Sequence, residues 1–158
     1  MTQEEKDLLL KELCARLPYG VCYRHLAWDD EHGEDYIAAK IYSINSDGYV
    51  KNCYDDESDY IDNVRPYLFP LSSMTEEQLH ELKDITDFRY NRNTLELAEW
   101  TETHTTLEFW LEEVPQYKVI EVFDWLNKNH FDYRCLIEKG LAIDATGLNI
   151  YQTPEEQL

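Results

Sequence analysis

A tight turn between two alternating runs is the feature that most constrains how this chain folds. Asp47 and Gly48 separate the run 36–46 from the run 49–54. An Asp-Gly pair readily adopts the positive φ angles of a two-residue hairpin turn. The apolar residues of the first run recur at every second position: Ile37, Ala39 and Ile41. The sequence therefore predicts an antiparallel hairpin over 36–54 with one face on a core.

The segment 21–28 precedes this hairpin and is predicted to be a further strand. Successive side chains of a strand point to opposite sides of the sheet. One side of this segment carries Val21, Tyr23, His25 and Ala27. The other side carries Cys22, Arg24, Leu26 and Trp28. A three-stranded antiparallel sheet is thus expected in the first third of the chain.

Two capping boxes predict where helices begin. In each box a hydroxyl residue stands three positions before a residue with a carboxylate or an amide, and each side chain accepts the backbone N–H of the other residue. The two boxes are Thr2 with Glu5 and Thr75 with Gln78. The first helix is expected to end at 18–20, where a proline and a glycine stand. The second helix carries an apolar stripe and is expected to end near residue 86.

The remaining segments are assigned from their spacing and their helix-breaking residues. Two prolines in 60–70 favour a short strand or irregular wall over a helix. Residues 116–129 have helical spacing, and 132–139 is predicted to be a short fourth helix that Gly140 ends. Alternation favours a strand at 107–112.

These elements predict an α+β fold with a small antiparallel sheet packed against an N-terminal helix and two or three further helices. The chain has 158 residues, of which 43% are hydrophobic, enough for one packed core. We expect a single α+β domain over 1–145 and a loose C-terminal tail over 146–158.

The charge of the chain narrows its partners. Fourteen Lys and Arg stand against 33 Asp and Glu, a formal charge of −19. This charge repels phosphates and anionic lipid, so neither direct nucleic-acid binding nor a membrane partner is expected. The acidic N-terminus and the lack of a long apolar run predict a cytoplasmic protein. Four widely spaced cysteines, without a C-x-x-C pair, are expected to be reduced.

Nearly half of the excess negative charge lies in the segment 28–62. This segment contains eleven acidic residues and only two basic ones, Lys40 and Lys51. Two acidic runs flank the predicted hairpin, so both are expected to emerge at one end of the sheet. We predict that they form a single binding patch, whose residues are Asp29, Asp30, Glu31, Glu34, Asp35, Asp55, Asp56, Glu57 and Asp59.

Common catalytic and cofactor motifs are missing from the sequence. There is no P-loop, dinucleotide fingerprint, G-x-S-x-G elbow or H-E-x-x-H pair. The two acidic runs are conceivable cation ligands, but Ser43 and Tyr54 break the calcium-loop pattern around Asp47 and Gly48. No catalytic residue, metal or cofactor is therefore predicted, although a general base among the five histidines stays open.

Three longer strings resemble a known family. They are LLLKELCARLPYGV (8–21), VRPYLFPLSSMTEEQ (64–78) and FDWLNKNHFDYRCLIEKGLAID (123–144). They resemble small uncharacterised acidic proteins carried by phages, prophages and other mobile elements of gut bacteria. Cys135 departs from the pattern, which has glycine at that place. The resemblance implies an origin in a mobile element and brings no activity with it.

The leading hypothesis is a non-enzymatic interaction protein of a phage or mobile element, with an acidic, aromatic-rich surface and a partner whose surface is basic. A narrower version is a DNA mimic, whose carboxylates replace phosphates and so inhibit a host DNA-binding or defence protein. Two alternatives remain. One is a small metal-assisted enzyme whose carboxylates converge only in the fold, and the other is a structural component of a larger assembly.

Overall fold

A computed structural model describes residues 1–29, 33–55, 57–86 and 116–151. In these residues the chain forms helices and two small sheets, which confirms the predicted α+β class. The strand expected at 107–112 lies outside the described residues. The helices are α1 (Gln3–Arg16), α2 (Glu76–Thr86) and α3 (Gln116–Lys128). The strands are β1 (Cys22–Asp29), β2 (Gly33–Ile44), β3 (Tyr49–Asn52), β4 (Ser58–Tyr60), β5 (Tyr67–Pro70), β6 (Phe131–Asp132) and β7 (Ile143–Asp144).

The larger sheet is antiparallel, with strands in the order β1-β2-β3-β4. β1 and β2 pair from Cys22 opposite Lys40 to Asp29 opposite Gly33. A turn at the predicted place joins β2 to β3, but it is not a two-residue turn with two positive φ angles. Gly48 has a φ of 84°, whereas Asp47 has no positive φ, and the N–H of Asn45 donates to the carbonyl oxygen of Tyr49 across three residues. Asn45 stabilises this turn, because its side-chain oxygen accepts the N–H groups of residues 47 and 49. The expected alternation is also present, since Ala39 and Ile41 are buried whereas their neighbours Ala38 and Lys40 are exposed.

The smaller sheet is parallel and was not expected from the sequence. β5 lies at its centre, between β6 and β7. One short 3₁₀ turn follows β4 at Ile61–Asn63, and another follows β5 at Leu71–Ser73. The segment 60–70 is thus a strand and an irregular wall, as its prolines predict.

The two larger apolar clusters of the described residues form most of the core. In the first, α1 contributes Leu9 and Leu13, which pack on the inner face of the larger sheet against Tyr23 and Ile41. In the second, α2 and α3 pack together around Leu82 and the smaller sheet. The capping box of Thr2 and Glu5 is present at the start of α1, with N–H to oxygen distances of 3.2 and 2.7 Å.

The predicted fourth helix at 132–139 is wrong, and the segment is a series of turns. The side chain of Asp132 accepts hydrogen bonds from the backbone N–H groups of Arg134, Leu136 and Ile137 at 2.8 to 3.2 Å. Cys135 adopts a left-handed φ of 57°. A side chain that competes for backbone donors, followed by a left-handed residue, stops a helix from propagating.

The described part of the predicted tail, 146–151, contacts the domain. The hydroxyl of Tyr151 donates to the carbonyl oxygen of Tyr67 at 2.6 Å and accepts the N–H of Cys22 at 3.2 Å. Ile150 packs beside it in a small third cluster. These contacts connect the end of the described chain to both sheets.

Candidate functional site

The larger sheet curls so that side chains of its two edge strands contact each other. Three strand spacings separate β1 from β4, which is about 14 Å in a flat sheet. Yet His25 on β1 and Asp59 on β4 are hydrogen-bonded at 2.7 Å. The inward side chains of the edge strands therefore converge on the concave face and form a buried polar cluster there.

His25 lies at the centre of this cluster between two carboxylates. Its Nδ1 contacts Asp59 Oδ2 at 2.7 Å, and its Nε2 contacts Asp55 Oδ2 at 2.9 Å. Only 3% of His25 is exposed. A carboxylate accepts hydrogen bonds and donates none, so both ring nitrogens carry a proton when both contacts are made. The arrangement thus favours a charged imidazolium.

Tyr23 and Asn52 complete the cluster. The hydroxyl of Tyr23 donates to Asp59 Oδ2 at 2.5 Å, and Asn52 Nδ2 donates to that hydroxyl at 3.1 Å. Asn52 also donates to Asp55 Oδ1 at 3.2 Å, while its own side-chain oxygen accepts the N–H groups of Tyr54 and Asp55. We refer to Tyr23, His25, Asn52, Asp55 and Asp59 as the His25 cluster.

The electrostatics of the His25 cluster follow from burial and hydrogen bonding. Burial alone would lower the pKa of His25, but the hydrogen bonds to Asp55 and Asp59 outweigh it and leave that pKa raised. Burial would raise the pKa of Asp55, but the bond to His25 leaves it lowered. Burial and the bond to Asp59 raise the pKa of Tyr23. While both carboxylate contacts are made, His25 has no free nitrogen lone pair, so this geometry does not suit it to act as a general base.

The predicted binding acids fall into distinct settings. Asp55 and Asp59 are half-buried and hold His25. Glu34, Asp35 and Glu57 are exposed. Asp29 is the last residue of β1, and the remaining three, Asp30, Glu31 and Asp56, lie outside the described residues.

The strand order places both acidic loops at the same end of the sheet. Successive antiparallel strands reverse direction, so the β1–β2 and β3–β4 connections lie on one side. The two loops are nevertheless offset. Ile37 pairs with His25, and Asp35 lies two residues further along β2, about 7 Å by the rise of a strand. The paired ends of β1 and β2 thus extend beyond the His25 cluster.

The outer side of this hairpin carries exposed aromatic side chains. Leu26 stands opposite Tyr36, and Trp28 stands opposite Glu34. The guanidinium of Arg24 lies over the Tyr36 ring, 4.7 Å from its centroid. Trp28 is 68% exposed, an unusual position for the largest apolar side chain. We call these five residues, Arg24, Leu26, Trp28, Glu34 and Tyr36, the hairpin face.

Sequence reasoning missed the role of His25, although one signal was present. His25 shares its side of β1 with Tyr23 and Ala27, both of which are buried. A titratable residue on the inward side of a strand needs a polar partner, since an unpaired buried polar group is costly. Its partners are 30 and 34 residues away in the sequence, so no local spacing indicates them.

The described residues show neither a metal-binding group nor a membrane-spanning helix, and the comparisons with known proteins found no match. Within those residues, no group of three or more His, Cys, Asp or Glu side chains is arranged to hold a metal ion. None of the helices in this part of the chain is long and apolar enough to cross a membrane. The chain matches no protein-family model, and it has no significant match among curated proteins or solved structures.

Proposed function

We propose that this chain is a non-enzymatic protein of a phage or mobile element that binds another protein through the hairpin face. The partner, encoded by the host or by the element, has a basic surface. The observation that carries the proposal is the exposure of Trp28 beside Leu26 and Tyr36 on one side of β1 and β2.

The aromatic side chains of the hairpin face have the chemistry of interface anchors. Trp and Tyr are enriched at protein interfaces, where they bury a large area at a low cost in side-chain entropy. Leu26 and Trp28 lie on the same side of β1, and Tyr36 stands across from Leu26. A partner that covers them would remove three adjacent large side chains from water.

Charge supports a basic partner. Glu34 lies on the hairpin face itself, and the exposed Asp35 is its neighbour in β2, on the other side of the strand. Arg24, the one cation of the hairpin face, rests on the Tyr36 ring. With a formal charge of −19, the whole chain also attracts a cationic surface over distances longer than contact.

Asp55 and Asp59 have a different part in this proposal. Their hydrogen bonds to His25 keep the sheet curled, so they support the hairpin rather than contact the partner. Exposed acids such as Glu34 and Asp35 therefore carry the electrostatic contribution to binding. The mobile-element origin rests on the three resembling strings alone.

Affinity purification from bacterial lysate tests the proposal when it compares matched variants. We expect wild type to recover a partner that the double variant Trp28→Ala/Tyr36→Ala loses. Tyr117→Ala is the control, because Tyr117 is exposed to a similar extent, 69%, on α3. Recovery of no protein above an acidic control of equal charge, or equal recovery by all three chains, would contradict the proposal.

The same purification tests the contribution of charge. Glu34→Gln/Asp35→Asn should weaken recovery, whereas Glu76→Gln/Glu77→Gln, which removes two exposed acids from α2, should leave it unchanged. Equal effects of the two pairs would mean that only net charge matters.

DNA mimicry is the narrower form of this proposal and has its own test. A mimic occupies the groove that binds duplex DNA, so the duplex should displace it from the recovered partner. The binding constant should also fall steeply with added salt. A partner that binds duplex and this chain together would restrict the proposal to ordinary protein recognition.

A further inference from the structure

A pocket of about 970 Å³ lies apart from the hairpin face and shares no residue with it. The 3₁₀ turn that follows α1, the end of α3 and the segment 147–151 form its walls. Its volume is at the upper end of the range in which small-molecule sites fall. We call it the basic pocket, after Lys40 and Lys128 in its walls.

The charge of the basic pocket is opposite to that of the chain. Acids make up 33 of the 158 residues, yet no Asp or Glu is among the described residues that line this pocket. Lys40 comes from β2 and Lys128 from the last turn of α3. Neither lysine forms an ion pair within the described part of the chain, whereas Lys6 and Lys118 pair with Asp62 and Glu121.

One wall of the pocket is flat, aromatic and uncharged. The His130 ring stacks on the Tyr151 ring, with centroids 3.9 Å apart and planes at 12°. Burial, with the charge of Arg16 nearby, lowers the pKa of His130 to about 4, so the imidazole is neutral at pH 7. The two hydrogen bonds of the Tyr151 hydroxyl hold that ring in place.

Lys40 is an exposed residue of the pocket lining whose side chain contacts Gly20. Its side chain lies across Gly20, where an added Cβ would come within 2.7 Å of the Lys40 Cε. Gly20 has a φ of 73°, so both the backbone and the space favour glycine there. The Cε and Nζ of Lys40 thus lie beside Gly20 in the pocket lining, to which Gln78 and Asn129 add amide groups.

We propose that the basic pocket binds a small organic anion that carries a planar ring. The ring packs against the wall of His130 and Tyr151, and the anionic group lies between Lys40 and Lys128. Two lysines from separate elements with no carboxylate beside them provide an anion site, and the neutral wall adds apolar contact without repelling or attracting charge.

Fluorescence titration with anilinonaphthalene sulfonate, a ring-bearing anion, tests this site. Lys40→Met/Lys128→Met keeps the aliphatic stems and should weaken binding of the probe about tenfold, since each exposed ion pair contributes modestly. Lys11→Met/Lys51→Met removes the same charge from exposed positions on α1 and β3 and should bind like wild type. Uncharged N-phenylnaphthylamine should bind more weakly than the sulfonate in wild type.

Two further measurements keep the result decisive. Lys128→Met alone changes an exposed residue at a helix end, so it remains informative if the double variant unfolds. Competition by benzoate, inorganic phosphate and a nucleoside monophosphate then distinguishes a carboxylate ligand from a phosphate. Equal probe affinity in the double variants, or equal affinity for the charged and uncharged probes, would overturn the proposal.

Discussion

At the scale of single residues, the His25 cluster makes folding sensitive to pH. The pKa of His25 is raised in the folded state, so its stabilising contribution is complete below the unfolded value of 6.5 and is lost as pH rises through the raised pKa. The pKa of Asp55 is lowered, so its contribution is present above 3.8 and is lost as pH falls through the lowered pKa. The His25 cluster therefore stabilises the fold most between pH 3.8 and pH 6.5.

Replacement of His25 tests this pH dependence. We expect His25→Gln to lower the free energy of unfolding by about 2 kcal/mol near pH 6, because two charge-assisted hydrogen bonds are lost. The variant should also lose the decline that wild type shows as pH rises above 6.5. Urea denaturation across pH measures both effects, with His80→Gln, an exposed histidine on α2, as the control. An unchanged slope above pH 6.5 would refute the role of His25.

Cys135 has a backbone conformation that residues with a side chain rarely adopt. Its φ of 57° is left-handed, a conformation that glycine adopts readily. An L-residue with a side chain costs about 1 kcal/mol in that conformation, and glycine avoids the cost.

The comparison of Cys135→Gly with Cys135→Ala separates this backbone term from packing, since both variants remove the thiol. We expect the glycine variant to be the more stable by about 1 kcal/mol, the reverse of the usual order in regular structure. Thermal unfolding followed by circular dichroism measures the difference. A more stable alanine variant would show that the left-handed φ carries no such cost.

At the scale of elements, a buried ion pair attaches α1 to the smaller sheet. Glu12 and Arg16 lie one turn apart on α1, each 1% exposed, and form a salt bridge. Arg16 also donates to the carbonyl oxygen of Phe131 in β6 at 2.6 Å. Arg134 adds a second contact to Glu12. The helix is thereby connected to both apolar clusters.

Removal of one partner from this pair should be costly. Arg16→Met leaves Glu12 buried beside fewer positive groups, and we expect a loss of about 3 kcal/mol in the free energy of unfolding. Glu12→Gln/Arg16→Met should recover part of that loss, because the unpaired charge is gone. Chemical denaturation measures both, with Lys11→Met on the exposed side of α1 as the control. A double variant no better than Arg16→Met would contradict this account.

Sequence reasoning succeeded where the signal was local and failed where it was not. The burial of Tyr23 and Ala27, and the exposure of Leu26 and Trp28, follow from a period of two along one strand. The capping box at Thr2 is equally local. By contrast, the turns after residue 132 depend on one aspartate side chain that competes for three backbone donors, which spacing alone does not reveal.

The candidate site needed information that only the curl of the sheet supplies. Asp55 and Asp59 read as part of an acidic run, and nothing in their order indicates that both turn towards His25. The acidic charge could be located from the sequence, but its division into structural and exposed acids could not. The exposure of Trp28 follows from the alternation along β1 only when the opposite side of that strand is known to be buried.

At the scale of the whole molecule, the two proposed surfaces differ in chemistry. The hairpin face combines exposed apolar side chains with one acid, Glu34, and one cation, Arg24, while the basic pocket gathers two lysines and a neutral aromatic wall. The first suits a protein with a basic surface and the second suits a small anion. Neither surface includes a residue of the His25 cluster. That cluster connects β1 to β4 through the hydrogen bond of His25 with Asp59.

The most direct test of the central claim is the affinity of the recovered partner for matched variants, measured by isothermal titration calorimetry. The account predicts that Trp28→Ala/Tyr36→Ala weakens the binding constant by about a hundredfold, the effect of removing aromatic anchors from an interface. Tyr117→Ala should bind like wild type. Equal affinity of the three chains for that partner would contradict the claim that the hairpin face is the binding surface.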